Sequence, residues 1–108
     1  MECLDVSAAV LSKGNRWLLA RRPAGKHLAG RWEFPGGKAD TEESIEECVV
    51  REIREELGAV VHSPRLVCTI SHCDDDRLIR LHFLFCVVDY MPEDPARHHD
   101  EVRWFRQE

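Results

Sequence analysis

Glu52, Glu55 and Glu56 stand at i, i+3 and i+4, a spacing that puts their side chains on one face of a helix. Carboxylates packed within one turn repel each other at neutral pH and weaken an isolated helix. Two readings of the ridge compete. It is either a solvated charged face, with Arg51 and Arg54 close enough to neutralise it, or a site for hard divalent cations, which take oxygen ligands and tolerate clustered acids. The preceding segment bears on the choice. Pro35-Gly36-Gly37-Lys38 is a glycine-rich loop whose backbone can approach a ligand closely.

The elements that must hold these residues can be read outward from the ridge. Ser44 to Leu57 is predicted to be a helix. Ser44 and Glu47 have the spacing of a capping box. Ile45, Cys48, Val49, Ile53 and Leu57 recur at helical period, and Gly58 sits where a left-handed cap belongs. Upstream, residues 6–11 read as a strand, Lys13-Gly14-Asn15 as a turn, and Arg16–Arg21 as the second arm of a hairpin. The stretch from Pro23 to Lys38 is rich in glycine and proline and reads as a long loop, with a short strand near residues 31–34. Downstream, residues 65–72 and 78–90 read as strands joined by the turn Asp74-Asp75-Asp76, and residues 102–105 as a last short strand. Strands, one helix, then strands predict an α+β fold with a mixed sheet.

The whole chain sets outer bounds. Its 108 residues are read as a single domain, with 44% hydrophobic and 32% charged residues, ordinary for a globular protein. No segment approaches the roughly 18 apolar residues of a membrane helix, and Met1-Glu2-Cys3-Leu4-Asp5 does not begin like a secretory signal. Cys3, Cys48, Cys68, Cys73 and Cys86 form no C-x-x-C pair and read as reduced thiols of a cytoplasmic protein. A net charge of −5 argues against direct binding of a nucleic-acid backbone. It also means that an anionic substrate would need local basic groups or bound cations.

From Gly37 the chain runs Gly, five residues, Glu43, seven residues, then Arg51-Glu52-Ile53-Arg54-Glu55-Glu56-Leu57-Gly58. This resembles the Nudix box, G-x5-E-x7-R-E-U-x-E-E-x-G-U with U aliphatic. The last position departs from it, with small Ala59. The resemblance implies an α/β/α sandwich around a mixed sheet and hydrolysis of nucleoside diphosphate derivatives with Mg²⁺ or Mn²⁺. It implies that Glu52, Glu55 and Glu56 ligate metal with the Gly36 carbonyl, and that Arg51 orients Glu52 through its fixed fork of donors. Glu43 would support the helix, and Glu52 would take the proton from an attacking water.

Upstream, Arg21-Arg22-Pro23 and the run from His27 to Lys38 are similar to the MutT branch, which sanitises oxidised guanine nucleotides. That resemblance implies that Arg22 contacts the phosphate and sugar region, and that His27 and Phe34 line the nucleotide pocket. Lys38 reads either as a phosphate contact or as a surface lysine. The expected substrate is a (deoxy)nucleoside triphosphate such as 8-oxo-dGTP, with CTP- or dCTP-type nucleotides as the alternative. A non-catalytic nucleotide-binding module is the competing class. The match weakens in two places. A further acidic ligand is expected before the last strand, where counting back from Trp104 gives His98; Glu101 or Asp100 could substitute. Relatives also continue for about another helix after the strand ending in Trp-Phe. A chain without that helix would expose part of its core, so a homodimer is a natural expectation.

Overall fold

The computed structural model describes residues 2–22, 25, 30–95 and 101–107. The first strand, β1 (Glu2–Val10), begins earlier than its apolar alternation suggests, because β6 (Arg77–Tyr90) pairs with it in parallel from Glu2 onward. β2 (Ser12–Lys13) and β3 (Arg16–Arg21) form a hairpin with Gly14 at φ 61 in the turn, but its first arm is not the expected residues 6–11: these lie mostly in β1, which pairs with β6 in a separate sheet. β4 (Trp32–Glu33), the expected short strand, pairs with β3.

α1 (Ile45–Leu57) starts and stops where its capping chemistry dictates. The Ser44 side chain accepts from Glu47 N–H, Glu47 reaches back to the Ser44 N–H, and Gly58 closes the helix at φ 70. The buried stripe Cys48, Val49, Ile53 and Leu57 faces the sheet, with Ile45 packed at its margin. β5 (Val60–Asp74) and β6 form a long hairpin turning at Asp75 and Asp76. β5 begins well before residue 65, through Pro64. A proline cannot donate to a sheet ladder, but β5 is an edge strand and its pairing slips between His62 and Arg65, with Ser63 at φ 51. That is where a strand tolerates proline. β7 (Glu101–Arg106) is antiparallel to β3.

Two sheets result. One is mixed, in the order β1-β6-β5; the other joins β2, β3 and β4, with β7 on β3. The core lies between α1 and these sheets: Ala9, Leu11, Leu18, Val49, Ile53, Leu57, Val61, Leu84 and Cys86. Ala59 belongs to it too, fully buried, which explains why a small residue fits the last position of the box. The fold is thus the expected α+β arrangement, and among the described residues it carries one helical layer, α1. Of the cysteines, Cys48 and Cys86 are core residues, whereas Cys3, Cys68 and Cys73 are exposed. Among the described residues no helix is long and apolar enough to cross a membrane.

Candidate active site

The glycine loop is strapped along β1. Ser7 N–H donates to the Gly37 carbonyl at 2.8 Å, Ala9 N–H to Pro35 at 2.7 Å, and Ala39 N–H to Asp5 at 2.8 Å. Two positions in the strap leave no room for a side chain as the site stands, Gly36 against fixed backbone and Gly37 against the Glu52 carboxylate. A Cβ on Gly36 would lie 2.1 Å from the Ser7 carbonyl oxygen, and one on Gly37 would lie 2.3 Å from Glu52 Oε2. The loop is therefore wedged between β1 and the helix that carries the acids.

Arg51 organises those acids. Its Nε and Nη2 donate to the two oxygens of Glu43 at 2.7 and 2.9 Å. Nη1 donates to Glu52 Oε1 at 2.8 Å and to Glu55 Oε2 at 3.1 Å, and Nη2 also reaches the Lys38 carbonyl at 3.2 Å. The bidentate contact holds the Glu43 carboxyl down at about 2, helped by the Asp40 N–H. Glu43 in turn keeps Arg51 firmly charged. Arg51, which the family resemblance expects to orient Glu52, bonds it directly, and Glu43, expected to support the helix, binds the same guanidinium.

The ridge divides along its length. Glu55 points outward, its side chain 58% exposed. Glu56 turns inward, and burial pushes its carboxyl up to about 8, aided by the charge of Glu52, a hydrogen bond shared with Glu52, and the charge of Glu33. A hydrogen bond from Gly36 N–H opposes the rise. Glu56 thus holds its proton more tightly than an ordinary carboxyl, hydrogen-bonded to Glu52, and a hard cation can displace such a proton. Their oxygens suit Mg²⁺ or Mn²⁺ chemically. Yet among the described residues no group of three or more acidic, His or Cys side chains is arranged to hold a metal. Glu55, tied to Arg51, does not close a triad with the inner pair.

Beside the inner pair lies a cleft of about 290 Å³, whose lining includes Arg22, Glu33, Phe34, Gly36, Gly37 and Phe83. Arg22 Nη1 donates to Glu33 Oε1 at 3.1 Å. Phe34 meets Phe83 edge-on at 6.1 Å and Trp17 at 5.4 Å, so it both lines the cleft and packs. Lys38 lies outside this cleft, lining a neighbouring hollow with Asp5 and Glu43. Glu101 opposes Arg21 across the β3–β7 ladder and pairs with Arg21 at 3.8 Å and with Arg103. His27, His98 and Asp100 lie outside the described residues.

The structure adds Ser7, Glu33 and Phe83 to the residues around the site. Ser7 had one signal, a lone hydroxyl inside an apolar strand; Glu33 and Phe83 had none, because pairing across the sheets brings them there.

The chain matches the NUDIX domain family over residues 1–108. It is 36% identical over 104 residues to the CTP pyrophosphohydrolase of Escherichia coli, covering 96% of this chain and 76% of that protein. It is 40% identical over 91 residues to the 8-oxo-dGTP diphosphatase of Proteus vulgaris, covering 83% and 80%. Among solved structures, the E. coli ORF135 protein superposes with a TM-score of 0.84 at 36% identity, covering 98% of this chain and 75% of that one. A MutT Nudix hydrolase from Burkholderia pseudomallei gives 0.85 at 28% identity, covering 98% and 84%. The protein belongs to the Nudix family. Within it, the chain is a MutT-like Nudix hydrolase.

Proposed function

We propose that this hydrolase converts a nucleoside triphosphate to the monophosphate and pyrophosphate in a reaction that depends on Mg²⁺, or Mn²⁺ in its place. The observation that carries the reading is the Glu52–Glu56 pair set against the Gly36–Gly37 loop at the mouth of an aromatic cleft. Glu52 and Glu56 would hold the cation with the Gly36 carbonyl, and Glu55 would join the set that the box implies by exchanging its 3.1 Å bond to Arg51 for the cation. The cation, when bound, supplies positive charge against the polyphosphate and acidifies a coordinated water. The residues of the chain do the rest. Arg51 fixes one Glu52 oxygen by a 2.8 Å bond, leaving the carboxylate poised to accept a proton from the attacking water. Arg22, at the polar side of the cleft, would pair with the phosphates or sugar, exchanging its bond to Glu33 for one to substrate. Phe34 and Phe83 offer ring faces and edges to a base, and His27 and Lys38 remain candidates for the pocket rim and a phosphate contact.

The relatives named for 8-oxo-dGTP and for CTP support two base preferences. We favour an oxidised purine nucleotide such as 8-oxo-dGTP, on the upstream similarity to the MutT branch, and keep CTP and dCTP as the alternative. Pyrophosphate release across a nucleotide panel, with and without Mg²⁺, tests both. Rapid turnover of 8-oxo-dGTP over dGTP and CTP supports the first; preference for CTP or dCTP supports the second. Nucleotide binding without turnover would instead indicate a binding module.

A further inference from the structure

Ser7 is a buried polar residue in the core, 2% exposed. A buried hydroxyl is costly unless hydrogen-bonded, and this one is fully used. It donates to the Gly37 carbonyl at 3.2 Å and accepts from Gly37 N–H at 3.3 Å, so one side chain holds both ends of one residue. Cys48, one helical turn before Glu52, completes the contact from the other side. Its Sγ lies 3.4 Å from Ser7 Oγ and 3.4 Å from the Gly37 carbonyl. Across Gly37 lies the Glu52 carboxylate, close enough that a Cβ on Gly37 would collide with it. Apolar side chains of similar volume could fill the space occupied by Ser7 and Cys48, so packing alone does not call for a hydroxyl and a thiol.

We propose that Ser7 and Cys48 are positioning residues, a buried polar clamp that fixes the Gly37 backbone and thereby the seat of the Glu52 carboxylate for a divalent cation. Neither touches the reacting atoms. The effect passes from β1 and α1 into the loop, and from the loop to Glu52. Groups that orient a ligand's carboxylate commonly change metal affinity or activity by about 10- to 100-fold when removed. The inference rests on the cation reading above, so its test needs a readout that does not depend on turnover.

Three measurements on the full chain provide it: hydrogen exchange of the Gly37 amide without metal, Mn²⁺ affinity, and kcat and KM with the preferred nucleotide. Ser7→Ala is expected to speed exchange at Gly37 and to weaken Mn²⁺ binding by about 10-fold. It should also lower kcat while KM stays near wild type. Cys48→Ala should shift the same quantities in the same direction by less, and Cys48→Ser, which keeps a donor, should restore them. If Ser7→Ala does not fold, Ser7→Cys retains a weak donor and should show intermediate exchange. Wild-type exchange and wild-type Mn²⁺ affinity in Ser7→Ala, with only the melting temperature altered, would overturn the clamp. A wild-type protein that binds no Mn²⁺ would overturn the cation reading instead, and exchange at Gly37 would then decide whether the clamp exists.

Discussion

Arg51 and Glu56 divide the work at the level of single residues. Arg51 gathers Glu43, Glu52 and Glu55 on one guanidinium, a geometry that lysine cannot reproduce with its single ammonium. Arg51→Lys is expected to cut kcat by at least about tenfold through loss of outer-shell support; steady-state kinetics at saturating Mg²⁺ checks it. Glu56 works by burial. Its carboxyl is raised from 4.5 to about 8 in the folded protein. A raised acid binds its proton more tightly folded than unfolded, so its contribution to stability is full below 4.5 and is lost as pH rises through about 8. Thermal unfolding of metal-free protein between those values should show this decline, and Glu56→Gln should flatten it. Glu43 has the opposite sign: held at about 2, it stabilises above 4.5 and fails only as strong acid protonates it. The sequence spacing put all the acids on one face. It could not reveal that Glu55 faces outward while Glu56 is driven into the interior, because that depends on the loop and sheet packed against them.

At the level of elements, α1 was legible almost residue by residue. Its capping box, apolar period and left-handed glycine are local features, and each lies where local chemistry dictates. Ser44→Ala should cost about 1 kcal/mol, whereas Ile53→Ala, fully buried, should cost about 2–5 kcal/mol with a residual cavity. Denaturant unfolding of the two variants should separate them. The long strands were less legible. β1 extends to Glu2 because β6 offers a partner, and β5 runs through Pro64 because it lies at an edge with a bulge. Pairing between residues far apart in sequence decides both, and no local pattern carries it. The same holds for Glu33 and Phe83, delivered to the cleft by strands whose register only the folded sheets define.

For the whole molecule, the β5–β6 hairpin leaves Leu66, Val67, Ile70 and Val87 about half exposed. Exposed apolar side chains on an edge strand favour pairing with another chain. Self-association is therefore expected, and sedimentation across a concentration series checks it; a mass fixed at the monomer would count against it. Charge works at this scale too. With a net −5, the proposed reaction would need Arg22 and bound cations to receive a polyphosphate. The decisive measurement is pyrophosphate release from nucleoside triphosphates by wild type and Glu52→Gln, each with Mg²⁺ and with chelator. We expect turnover that needs Mg²⁺ and falls by about 10²- to 10⁴-fold in Glu52→Gln. Turnover that survives both the chelator and the substitution would contradict the assignment of the Glu52–Glu56 pair as the reacting centre.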